Sequence, residues 1–139
     1  MPDAPNTFGW TPAHSVNIVV LDRQHQRLFD AVNELNQALR NGQGASVVDP
    51  VLRKLVGYVT VHFATEERLM EENAFPGLLA HRAEHEAFRR KIDAFCEDHK
   101  SGKLGVPVML TLFMQNWLKD HVSKTDERYS AFLNARGVR

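Results

Sequence analysis

The sequence predicts an all-α protein: an up-down-up-down antiparallel four-helix bundle with a non-helical N-terminal arm. Apolar residues recur at steps of three and four in four stretches, and nothing alternates with period two over a useful length. Prolines fall between those stretches or at their starts, where a missing N–H costs little, and every glycine except Gly57 lies outside them. The chain has 139 residues, 43% hydrophobic and 24% charged, enough for one core without disulfides or metals to hold it. Residues 1–139 are therefore expected to form a single domain, with an arm over 1–21 and a bundle over about 22–134.

The arm carries Pro2, Pro5, Gly9 and Pro12. The first helix has the stripe Leu28, Phe29, Val32, Leu35 and Leu39, and ends at Asn41-Gly42-Gln43-Gly44. The second is expected to start at Pro50 with Asp49 as N-cap. Its stripe is Leu52, Leu55, Val56, Val59, Phe63, Leu69 and Met70, and Asn73 to Gly77 breaks it. The third runs Leu78, Phe88, Ile92 and Phe95, up to Ser101-Gly102. The fourth follows Pro107 and is expected to run through Leu110, Phe113, Met114, Trp117, Val122, Phe132 and Leu133.

Seventeen basic residues against seventeen acidic ones give zero formal charge. That balance argues against a nucleic-acid binder and against a polybasic membrane-surface protein. The longest apolar stretch, Val106 to Met114, contains Pro107 and Thr111 and falls short of the about 20 residues a membrane span needs. No secretory leader is evident at residues 1–6. One cysteine, Cys96, fits a reducing cytoplasm.

The unusual number is seven histidines. In the third helix, positions 78, 81, 85, 88, 92, 95 and 99 step by three and four, and His81, His85 and His99 fill three of them. His62 and Glu66 lie at core phase in the second helix. His25 precedes Leu28 on the first stripe, and His121 follows Trp117 on the fourth. A lone histidine on an apolar face is usually a satisfied core residue. Five histidines and a glutamate are another matter, because each needs a partner and the stripes offer few. Alternating helix directions bring His25, His62, Glu66, His81, His85 and His121 to one end of the bundle, where a shared metal satisfies them together. Histidine with carboxylate suits iron, zinc or manganese. Six ligands exceed a tetrahedral zinc site, and two six-coordinate ions bridged by carboxylates are the simplest arrangement.

The motifs Asp22-Arg23-Gln24-His25, His62-Phe63-Ala64-Thr65-Glu66-Glu67, His81-Arg82-Ala83-Glu84-His85 and Trp117-Leu118-Lys119-Asp120-His121 followed by Asp126, with Trp10 and Ser15-Val16 before them, resemble the hemerythrin family. Within it the chain is similar to the single-domain bacterial hemerythrins, from Trp10 to about Leu133. The resemblance implies a non-haem centre of two iron ions that binds O2 reversibly. His81, His85 and His121 are similar to the ligands of the saturated iron. His25 and His62 are similar to those of the iron with an open position. Glu66 and Asp126 are similar to the carboxylates that bridge the irons together with an oxo or hydroxo group. Asp126 is five residues past His121, so an ideal helix turns it about 140° away; a local widening of the fourth helix is needed. The arm departs from the family at His14, at Asn17, where glycine is usual, and at Val19-Val20, which offer an apolar surface patch.

The expected function is O2 storage, delivery or scavenging by a carrier, not an enzyme. The rival readings are a di-iron enzyme reducing peroxide or nitric oxide, or a stand-alone O2 or redox sensor. Trp117, Leu118 and Val122, with Leu28 and Phe29 opposite, are the expected wall of the O2 pocket. No spare serine, lysine or tyrosine falls at the site's phase. Beyond Glu66, the glutamates Glu67, Glu71 and Glu72 read as a solvated face. His99, roughly 21 Å along its helix from His85, cannot share the metal and is expected against the carbonyl end of the third helix. His14 is expected at the surface, and Cys96 as a small core residue or a bystander. The expected partners are O2 and an O2-consuming protein. No nucleic acid or membrane span is expected, and the protein is expected to be a monomer.

Overall fold

The computed structural model describes residues 8–43, 45–122 and 126–139, and for 45–47, 126 and 127 the backbone alone. All regular structure among them is helical: a 3-10 turn at Pro12–His14, then α1 (Val19–Arg40), α2 (Ala45–Glu72), α3 (Leu78–Lys100), α4 (Val106–Asp120) and α5 (Asp126–Ala135). The first four make the four-helix bundle, α1 packing on α2 and α4, and α3 on the same two. Each helix buries its predicted stripe. In α1 the buried positions are Leu21, His25, Leu28, Phe29, Ala31, Val32, Leu35 and Ala38. Among the described residues, no helix is long and apolar enough to cross a membrane.

The core divides in two. The larger cluster includes Leu28, Val32, Leu55, Phe63, Phe88, Met114 and Leu118. The smaller gathers Val16, Ile18, Leu21, Met70, Tyr129 and Leu133. Along the helices the polar core residues fall where one cluster gives way to the other: His25 lies between Leu21 and Leu28, and Glu66 between Phe63 and Met70. Burying one large apolar side chain is worth about 1.5–3 kcal/mol, so two apolar clusters hold the polar layer between them rigidly.

Three boundaries differ from expectation. Helix α1 begins at Val19, three residues inside the expected arm. Asp22 in its first turn accepts the Ser15 hydroxyl at 2.6 Å and the Val16 N–H at 2.9 Å, which folds the arm back onto the helix. Asn17 makes that return with φ +56°, in the left-handed region that glycine favours and asparagine tolerates best among the rest. Val19 and Val20 stay exposed. His14 is half-buried, with its ring 5.2 Å from that of Phe29 and its Nδ1 accepting the Thr11 N–H, so it packs the arm and is not a free surface group.

Helix α2 begins at Ala45, so Pro50 lies in its second turn and Asp49 is not its N-cap. Asp49 instead meets His99 across the bundle at 2.7 Å, and this pairing replaces the expected contact of His99 with its own helix end. Helix α1 ends as its sequence predicts: Gly42 takes φ +65° and the Gln43 N–H reaches back to the Ala38 carbonyl. The regular part of α4 ends at Asp120. After Asp120, His121 and Val122 continue as a wider π-type turn, and α5 resumes at Asp126. That is the local widening a carboxylate five residues past His121 requires to turn inward. The Asp126 side chain itself lies outside the described residues.

Candidate metal centre

The pairs His62/Glu66 on α2 and His81/His85 on α3 are spaced i, i+4 and project side by side. His25 enters from α1 and His121 from the π turn after α4. All six are buried, none more than 5% exposed. They form two sets of donor atoms, His25, His62, Glu66 and His121, and Glu66, His81, His85 and His121, each set within 4.8 Å. Glu66 and His121 belong to both. Oε1 of Glu66 lies 3.0 Å from His62 Nε2, 3.2 Å from His121 Nε2 and 3.3 Å from His85 Nε2, and its Oε2 is 3.6 Å from His81 Nε2. His25 Nε2 stands 3.1 Å from His62 Nε2.

Two residues outside this set decide which way the rings face. The Gln24 amide donates its N–H to the Thr65 hydroxyl at 2.9 Å, so its oxygen is aimed at His62 and accepts the Nδ1–H at 2.9 Å. Glu67 accepts the Nδ1–H of His85 at 2.9 Å and is itself held by Arg82 at 3.2 Å and Arg89 at 3.5 Å. With Nδ1 protonated, each ring turns an Nε2 lone pair toward Glu66. Phe63 stacks flat on His85 at 3.7 Å, and Trp117 on His121 at 4.3 Å, which fixes both ring planes.

Burial pushes the His62 imidazole below its ordinary pKa, against the pull of the neighbouring Glu66. Burial alone would raise the Glu66 carboxyl; His62 and His121 outweigh it and hold it well below the usual carboxylate range. With their Nδ1–H groups given to Gln24 and Glu67, His62 and His85 turn Nε2 lone pairs to a Glu66 oxygen at 3.0 Å and 3.3 Å. Glu66 Oε2, His81 Nε2 and His85 Nε2 are buried without a hydrogen-bond partner among the described residues. Converging lone pairs in a dry core repel one another unless a cation sits between them. The donor set fits metal ions of the histidine–carboxylate class.

The expected pocket residues fall in two groups. Leu28, Leu118 and Val122 are buried in the larger cluster, at most 2% exposed. Trp117 stands behind His121, against Phe63 and Phe88 on the α3 side, and Phe29 packs on Phe8 and His14 of the arm. Three site residues, Gln24, Glu67 and Tyr129, escaped the sequence reading. Glu67, read as solvated face, is 17% exposed and bonded to a ligand-type histidine. Tyr129, on the stripe of α5, is fully buried with its ring 5.3 Å from that of His81, so a tyrosine does stand beside the layer. A search for acceptors of the second imidazole N–H would have drawn attention to Gln24 and Glu67, each next in sequence to a ligand-type residue.

A family model described as the hemerythrin HHE cation binding domain matches residues 16–133. A bacteriohemerythrin of Methylococcus capsulatus is 33% identical over 91% of this chain and 96% of its own. One from Stenotrophomonas maltophilia is 31% identical over 91% of this chain and 81% of its own. A crystal structure of wild-type hemerythrin superposes with a TM-score of 0.82 at 31% identity, covering 91% of this chain and 98% of that one.

Proposed function

Because this chain belongs to the hemerythrin family, we propose that it binds O2 reversibly at a non-haem di-iron centre, for storage, delivery or scavenging. The observation that carries the reading is Glu66: one fully buried carboxylate shared by two histidine sets whose lone pairs face it. In this reading His25 and His62 would hold one iron and His81, His85 and His121 the other, with Glu66 and Asp126 as the carboxylates that both irons would share. When bound, the two irons supply the electrons that hold O2 and recover them on its release.

The protein's own part is to place and to exclude. Gln24 and Glu67 fix the tautomers of His62 and His85 before metal arrives, so little reorganisation accompanies loading. Five imidazoles and two carboxylates would put less negative charge on the metals than a carboxylate-rich site does, which suits a carrier over a catalyst. Leu28, Leu118 and Val122 keep water and its protons from the ligand layer.

The test is elemental analysis of protein from iron-replete cells, followed by spectra under nitrogen and in air. Two irons per chain, a nearly colourless reduced form and an absorption band that appears with air and vanishes when O2 is removed are expected. One tightly held zinc without iron would overturn the reading. Irreversible loss of the band with steady turnover of peroxide or nitric oxide would replace the carrier with an enzyme.

A further inference from the structure

His99 and Cys96 take no part in the metal layer, and both line one cleft between α2, α3 and the start of α4. It has a volume of about 420 Å³, within the range of small-ligand pockets. It lies at the other end of α3 from the ligand layer, since His99 is roughly 21 Å along the helix from His85. Its walls are apolar: Leu52 and Val56 from α2, Phe95 from α3, Leu110 from α4. Its mouth is charged. Arg53 on α2 and Lys100 on α3 both line it and are exposed, and among the described residues neither makes an ion pair. Asp49, the acid among the lining residues, is engaged by His99 at 2.7 Å. Among the lining side chains two cations stand against one carboxylate, above an apolar floor, and Asp93 acts on Cys96 from just outside the lining.

We propose that this cleft binds a medium-chain monocarboxylic acid, its chain against Leu52, Val56, Phe95 and Leu110 and its carboxylate between Arg53 and Lys100. An apolar body with one anionic end satisfies both halves of the cleft at once. A neutral alcohol of equal length fills the floor and leaves the two cations unanswered, and a short acid does the reverse. The His99–Asp49 pair joins α2 to α3 beside the mouth and gives the Asp49 carboxylate a partner within the protein. The inference is independent of the iron reading.

The single cysteine supplies the readout. Burial in the cleft wall holds the Cys96 thiol above its ordinary pKa, so its reaction with a disulfide reagent is slow and sensitive to cover. The full chain is treated with decanoate, decanol or butyrate below their micelle concentrations, and the rate of Cys96 modification is followed beside calorimetric titration. Decanoate is expected to slow modification by about tenfold at saturation, with decanol and butyrate each binding at least about tenfold more weakly. Arg53→Glu with Lys100→Glu is expected to weaken decanoate by about tenfold or more, with Arg53→Lys retaining it and iron content unchanged throughout. Equal protection by decanol, full decanoate binding in the double variant, or neither protection nor heat with decanoate would each overturn the proposal.

Discussion

Helix α3 carries histidines on one stripe at both ends, and the two ends solve the same problem differently. At one end His81 and His85 are buried, and their Nε2 atoms find Glu66 near them without a hydrogen bond. At the other, His99 is 26% exposed and meets a single carboxylate, Asp49, at 2.7 Å. One acceptor and some water suffice for a histidine at the rim. Five imidazoles around one carboxylate do not balance with protons alone, because the Nδ1–H groups of His62 and His85 are spent on Gln24 and Glu67 and their Nε2 atoms are left facing Glu66. The difference teaches that phase on a stripe does not mark a metal ligand; convergence on a shared, desolvated acceptor does.

The harshest way to break the contrast is to remove that acceptor. Glu66→Gln keeps the shape and deletes the charge that both donor sets share. We expect iron to fall below one per chain by elemental analysis, with the metal's contribution to stability lost. For a ligand held at a thousandfold its Kd that contribution is about 4 kcal/mol. Unchanged iron stoichiometry would mean that Glu66 is a structural carboxylate like Asp49.

Next in size is the apolar wall. Leu118 is fully buried, three residues before His121 on nearly the same helical face. Leu118→Ala is expected to cost roughly 2–5 kcal/mol by thermal or denaturant unfolding, and to admit water to the ligand layer. Iron content should stay near the parent value while the oxygenated band decays faster in stopped-flow measurements. Equal decay rates would place the water barrier elsewhere, with Val122 next to examine. Trp117 is the weaker candidate, because it backs His121 from the α3 side.

What the sequence made legible was periodic. Steps of three and four put His25, His62, Glu66, His81, His85 and His121 at core phase, and helix lengths put them at one height. The residues it hid are those whose role depends on a neighbouring helix. Glu67 is out of core phase on α2 and becomes a site residue only because His85 on α3 points an N–H at it. Gln24 likewise acts across α1 and α2. Asp49 resembles an N-cap until His99, 50 residues away in the chain, lies against it. The π-type turn at His121 was legible only as a requirement, from the five-residue step to Asp126. Its cause lies in tertiary packing that no local propensity records.

Glu67 offers a finer probe than Glu66, since it touches the layer only through His85 and shares its carboxylate with Arg82 and Arg89. Glu67→Gln leaves a hydrogen-bond acceptor and removes the charge. Substitutions at such outer positions cost about 10- to 100-fold in metal affinity. We expect iron to be retained at high supply and lost faster to a chelator, with the oxygenated band shifted. A chelation rate equal to the parent's would show that the Phe63 stack alone holds the His85 ring in place.

The smallest effect should come from the other end of the stripe. His99→Ala removes one hydrogen bond between two partly exposed side chains, 26% for His99 and 48% for Asp49. Pairs so placed are worth about 0.2–1 kcal/mol, because water replaces either partner when the other is lost. Asp49 is exposed enough to be resolvated, unlike Glu66. Iron per chain, the absorption band and its decay should all match the parent, and the midpoint of denaturant unfolding should fall only slightly. A loss of iron would show that the two ends of α3 communicate through the core. A loss of several kcal/mol without loss of iron would show that the His99–Asp49 pair clamps the start of α2, where Pro50 has already removed one backbone donor from the helix.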